Sequence, residues 1–140
     1  MFVTLFDPET GQVLATPEYR NLVVTVGKKT IARLLGGDGN YHGLEEISKI
    51  GFGTDGTAAA VGNAALGAQQ FSKACSVTYP ADNQVQFSVT MLSSEGGSHP
   101  YRELGLLTKT SDYLFSRVVI GAIVKTSAIA IKVDWLISIQ

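Results

Sequence analysis

The chain is short of charge. Lys, Arg, Asp and Glu together make up 16% of its 140 residues, against about 25% in ordinary soluble domains. The 11 Lys and Arg are scattered and the formal net charge is −1, so no dense cationic stripe is available for a nucleic-acid backbone. Cysteine is limited to Cys75, which excludes an intramolecular disulfide and a cysteine-rich zinc site. No apolar run approaches the roughly 18 residues that a membrane helix requires. The opening MFVTLFDPET has no basic stretch ahead of a long apolar run and does not read as a signal peptide. Mean hydropathy is nevertheless positive, +0.18. Few charges, many apolar residues and no membrane span lead to the expectation of a chain that hides surface against partners, because interface cores are depleted in charge; the alternative reading is a monomer with a large core. The length fits one domain with a sizeable core.

What is present is mostly strand pattern. FVTLF and QVLAT flank Asp7-Pro8-Glu9-Thr10-Gly11, which has turn chemistry and predicts a hairpin over 2–16. One helix is predicted over about residues 25–35, TVGKKTIARLL, with Val26, Ile31, Leu34 and Leu35 as its apolar stripe, Lys28, Lys29 and Arg33 toward water, and Gly36-Gly37 as its stop. Strands follow over 47–54 and 71–79. From 84 to 91, Val85, Phe87, Val89 and Met91 alternate with Gln84, Gln86, Ser88 and Thr90, the mark of a half-buried antiparallel strand. Residues 101–107 and 113–120 form a hairpin across Thr110-Ser111-Asp112. A last strand starts at Ala128, with Ile129, Ile131, Val133, Trp135, Ile137 and Ile139 on one face. A one-residue slip there would turn six large apolar groups outward, which fixes the register. The fold class is mainly β: an antiparallel β-sandwich or small barrel with one N-terminal helix, divided as a hairpin or arm over 1–20 and a single domain over 21–140.

Several motifs invite chemistry. Gly51-Phe52-Gly53-Thr54-Asp55-Gly56 spells G-x-G-x-x-G. A dinucleotide site needs that loop to feed a helix, but TAAAVGNAAL breaks at Gly62-Asn63. The acidic residue required about 20 positions on is missing too, Asp82 being in a turn beside Pro80. The stretch is instead the end of a strand followed by a loop. Asp38 to Gly43 begins like a calcium loop, yet His42 stands at its fifth position and Lys49 where a bidentate glutamate belongs. His42 and His99 lie in separate loops without a zinc-ligand spacing. Cys75, inside KACSV, reads as a buried inert thiol. Glu45, Glu46, Glu95 and Glu103 cannot be paired into an acid/base couple. The sequence therefore assigns no catalytic, cofactor-binding or metal-binding residue, and the expectation is a protein that is not an enzyme. Glu103 and Arg117, on neighbouring strands of one hairpin, are expected to form a cross-strand ion pair, worth about 0.2–1 kcal/mol if exposed.

From Asn21 onward the order of segments resembles the tail-fibre and tail-collar-fibre structural proteins of tailed bacteriophages. The resemblance is carried by NLVVTVGKKTIARLL, by the strand and loop at Ile50 to Thr54, and by Ala65-Leu66. It continues with ELGLL at Glu103 to Leu107, LFSR at Leu114 to Arg117, and the closing strand from Lys125 to Ile139. Its strength lies in order and spacing over about 120 residues. It implies a virion component without chemistry of its own, assembled in the host cytoplasm, that connects tail or baseplate to fibres as a homo-oligomer, with trimers usual in that group. The first 20 residues precede the usual start, and could add a strand to a neighbour. The end at Gln140 leaves no shaft, so the expectation is a short, free-standing version. Two alternatives remain at this stage: a capsid decoration protein, or a β-sandwich that binds a host glycan or receptor through Tyr41, Phe52 and Tyr101.

Overall fold

The computed structural model describes residues 1–39 and 45–139. Period-two alternation builds β1 (Phe2–Phe6), β2 (Val13–Ala15), β3 (Leu22–Val23), β4 (Ile47–Gly53) and β5 (Gln69–Ala74). It continues through β6 (Ser76–Thr78), β7 (Gln84–Met91), β8 (Pro100–Thr108), β9 (Leu114–Val124) and β10 (Ala130–Ser138), with one helix, α1 (Thr25–Leu35), between β3 and β4. The strands form two five-stranded sheets, ordered β2-β1-β10-β7-β6 and β3-β9-β8-β4-β5, and every pairing is antiparallel. Of the two architectures open to the sequence, the chain adopts the sandwich; the sheets do not close into a barrel.

The core lies between the sheets, as the alternation requires. The first sheet sends in Val3, Phe87, Val89, Met91, Ile131, Val133 and Trp135; the second meets them with Ile50, Phe52, Leu104, Leu106, Val118 and Ile120. Full burial of each such side chain contributes about 1.5–3 kcal/mol. The predicted face of β10 is present, with Ile131, Val133 and Trp135 buried and paired to Met91, Val89 and Phe87. It fades at its ends: Ile129 and Ile137 are half-buried, and Ile139, past the strand, is exposed.

Three expectations need correction. The predicted strand over 71–79 is two strands in two sheets. β5 pairs with β4 and β6 with β7, and the chain changes sheet at Cys75, whose N–H donates to the Ser48 carbonyl at 2.9 Å. The hairpin over 2–16 exists, with Gly11 at φ +72°. It is no detached arm, because β1 pairs with β10 from Phe2 to Phe6 and Val3 is fully buried. Residue 20 is thus not a boundary of the packing. The helix has its predicted bounds, with Gly37 at φ +67° after it, but its apolar stripe is not what it buries. Gly27 is its buried residue, and a Cβ there would collide with the Phe115 carbonyl oxygen of β9. A helix-interior glycine costs about 1 kcal/mol of propensity; here it allows the helix to lie directly on the sheet.

Candidate functional site

The outer face of the second sheet is hollowed by glycine. Gly51 lies opposite Gly105, and Gly53 opposite Glu103, on β4 and β8. Paired residues of an antiparallel ladder project to the same side, so the two glycine positions 51 and 105 leave a trough without side chains. Leu66, from the loop that follows β4, fills it: a Cβ on Gly51 would come within 2.8 Å of Leu66, and one on Gly105 within 2.9 Å. Leu66, Leu107, Leu114 and Val24 form a second small core under this loop and the start of α1.

Beside the trough is a buried ionic cluster. Glu103 is fully buried and Arg117 is 2% exposed. Arg117 Nε donates to Glu103 Oε2 at 2.8 Å. Its two terminal nitrogens reach the loop: Nη1 donates to the Thr57 carbonyl at 3.0 Å and to Asn63 Oδ1 at 3.2 Å, and Nη2 to Asp55 Oδ2 at 3.2 Å. Glu103 holds the loop's other end, accepting the N–H groups of Gly67 at 3.0 Å and Ala68 at 2.7 Å. Asp55 in turn accepts the Thr57 N–H and hydroxyl. These two bonds, assisted by the Arg117 charge, hold its carboxyl below the usual carboxylate range. The expected Glu103–Arg117 pair therefore exists, but as a buried pair. Its energetic scale is that of removing one partner from a desolvated pair, about 3–5 kcal/mol, not that of a surface bridge.

This geometry answers the G-x-G-x-x-G match. Gly51 makes room for Leu66. Gly53 makes room for the Glu103 carboxylate, against which a Cβ would clash, and Gly56 for the stem of Arg102, 3.2 Å from a Cβ built there. The strand runs into a loop and not a helix, and the loop amides at 67 and 68 are spent on Glu103. Asp55, Asn63 and Leu66 were not legible as members of the cluster. The available signal was the pair of glycines, 51 and 105, each within a run of large apolar residues on a predicted strand.

The other singled-out residues do not join this cluster. Glu45 accepts the N–H groups of Thr110 and Ser111 at 2.8 and 2.9 Å and the Ser111 hydroxyl at 2.6 Å. The Ser111 bonds lead in holding its pKa down, to about 2. Glu46 pairs with Lys109 at 2.8 Å, and Lys49 with Asp112. Glu95 takes Lys73 at 2.6 Å and the Leu92 N–H at 2.9 Å. Next to it is a residue that sequence reasoning missed, the fully buried Lys125, which donates to the carbonyls of Ser93 and Thr126 at 2.8 and 3.0 Å. Burial pushes its pKa down, partly opposed by Glu95. These contacts, with the Tyr101 hydroxyl donating to the Gly96 carbonyl, cinch the loop over 92–98.

Cys75 is half-buried, and burial raises its thiol pKa. His99 packs edge-on against Tyr101. His42 and most of the calcium-like stretch, from Asn40 to Gly43, lie outside the described residues, as does Tyr41. Phe52 and Tyr101 are fully buried, so neither offers a ring face to a sugar. Among the described residues no group of three or more His, Cys, Asp or Glu is placed to hold a metal ion, and no helix is long and apolar enough to cross a membrane. What the cluster does is mechanical: it clamps both ends of a surface loop to the second sheet. Comparison with protein-family models, with curated proteins and with solved structures finds no match to this chain.

Proposed function

We propose that this chain is a non-enzymatic structural protein of a phage tail, joining tail or baseplate to fibres as a homo-oligomer. The observation that carries this reading is a convergence. Four of the segments that resemble tail-fibre proteins, Ile50 to Thr54, Ala65-Leu66, Glu103 to Leu107 and Leu114 to Arg117, are far apart in the chain. They supply Gly51 and Gly53, Leu66, Glu103 and Gly105, and Arg117, which meet in one constellation. The segments of the resemblance thus correspond to one physical device, the clamp on the loop. That loop is suited to contact: residues 56–72 contain no charged side chain, and Val61 is 52% exposed. A preordered loop loses little entropy on docking, and missing charge avoids the desolvation cost of an interface core.

The experiment is localisation together with mass. Antibody raised against the chain should label the tails of the encoding phage by immunogold microscopy, and light scattering on the purified protein should give a multiple of 14.9 kDa. Virions without label would end the tail assignment. A monomer at every concentration would end the self-assembly part of it.

A further inference from the structure

β7 loses a neighbour part-way along its length. β6 pairs with it from Ser76 opposite Ser88 to Thr78 opposite Gln86. Continuing that register would set Ala74 opposite Thr90. The chain instead leaves the first sheet at Cys75, and Ala74 pairs with Lys49 in the second. The Ile139 N–H donates to the Asn83 carbonyl at 2.9 Å, so odd-numbered residues of β7 turn their backbone groups toward β10 and even-numbered ones toward β6. Thr90 therefore directs its N–H and C=O into the gap that β6 leaves, a groove of about 450 Å³ lined also by Lys73, Ser76, Ser88 and Lys132.

Two charged side chains stand where the departed strand would continue. Lys73 reaches across from β5 and donates to the Thr90 carbonyl at 2.9 Å. The same ammonium donates to both Glu95 oxygens, at 2.9 and 2.6 Å. Glu95 in turn accepts, at 2.9 Å, the N–H of Leu92, the residue that follows β7. Of these edge groups the Thr90 N–H is left facing the groove. We propose that Lys73 and Glu95 guard the edge of β7, occupying the backbone groups that β6 leaves uncovered and so preventing strand addition by another copy of the chain. The strand needs such protection. Gln84 to Leu92, QVQFSVTML, contains no charge, proline or glycine. An open edge on such a segment is a template for pairing with a second chain. A charge turned inward beside the edge lies in the path of the incoming strand, which is one way that sheets avoid this. The inference is independent of the proposed function, since a closed oligomer formed through another surface leaves this edge as it is.

The test follows light scattering and thioflavin fluorescence over time at pH 7 on the whole chain. Lys73→Met and Glu95→Gln break the guard. Lys132→Met is the first control, because Lys132 lines the same groove but pairs with Asp134. Gly53→Ala is the second, because it strains the other end of the β4–β5 pairing and reports what lost stability alone does. Lys73→Met and Glu95→Gln should grow in mass and bind the dye at least about tenfold faster than wild type, with both controls within about twofold of it. Lys73→Met growing no faster than Lys132→Met overturns the guard. Equal growth of Gly53→Ala and Lys73→Met assigns the effect to unfolding and overturns it as well. So does a wild type that itself grows without limit.

Discussion

Arg117→Met tests the buried clamp directly. The side chain is 2% exposed, and methionine keeps much of its bulk without the guanidinium. Four hydrogen bonds disappear. The Glu103 carboxylate stays behind, fully buried and without its cation, though the Gly67 and Ala68 N–H groups still point at it. Breaking a buried pair costs about 3–5 kcal/mol, and these retained donors place the expected loss at the lower end, about 3–4 kcal/mol. For a domain of this size that is about 10–15 °C in Tm. Adding Glu103→Gln should recover part of the loss, because the pair is coupled and the substitution removes the orphaned charge. Urea unfolding of wild type, Arg117→Met, Glu103→Gln and the double variant at pH 7, followed by circular dichroism, gives all of these quantities. A loss below about 1 kcal/mol for Arg117→Met, with no recovery in the double variant, would refute the claim that a desolvated ion pair holds the loop.

Other consequences follow from single sites. Gly53→Ala should cost about 1–3 kcal/mol by overpacking, since its Cβ meets the Glu103 carboxylate and the Ala68 carbonyl; calorimetry showing no change would mean that the Glu103 carboxylate is not tightly packed against β4. Among the described residues the buried Trp135 Nε1 has no hydrogen-bond partner, so Trp135→Phe removes an unpaired donor along with some packing. It should cost less than about 1.5 kcal/mol, well under the 3–5 kcal/mol of a truncation to alanine, by urea unfolding. Glu45 has a folded-state pKa of about 2, below its ordinary 4.5. Its contribution is therefore complete above about pH 4.5 and is lost as pH falls toward 2. The Ser111 amide resonance should follow that titration by NMR, and a midpoint near 4.5 would show that the carboxylate does not hold the turn. Lys125→Ala leaves the Ser93 and Thr126 carbonyls without their donor, and should speed amide exchange across 92–98.

Much of this architecture was legible because burial on one side of a strand writes itself as alternation. β7 and β10 follow that rule, and their register places Val89 against Val133 and Phe87 against Trp135. The Glu103–Arg117 pair was legible because a hairpin brings strand neighbours together whatever else happens. Its burial was not, since the cover comes from the loop at 54–68, and nothing local to either residue announces that cover. Period 3.6 in α1 correctly gave a helix, but periodicity does not say which face meets the sheet. Gly27 decided that, because backbone approach to Phe115 excludes any side chain. The change of sheet at Cys75 was hidden for a similar reason: a chain crossing a sandwich edge keeps its extended conformation, so the sequence pattern runs on unbroken.

The place of β10 in the first sheet sets the timetable of folding. It is the middle strand, flanked by β1 and β7, so Phe2 must wait for Asp134 and Gln84 for Ser138. On the ribosome, β1 emerges with only its hairpin partner β2 beside it, and its other edge is satisfied only after β10 has been made. Such long-range closure belongs to the slow end of single-domain folding, milliseconds to seconds. Until then the nascent polypeptide offers two unpaired ladders to any passing strand, and the window for misassembly closes with the arrival of one late segment.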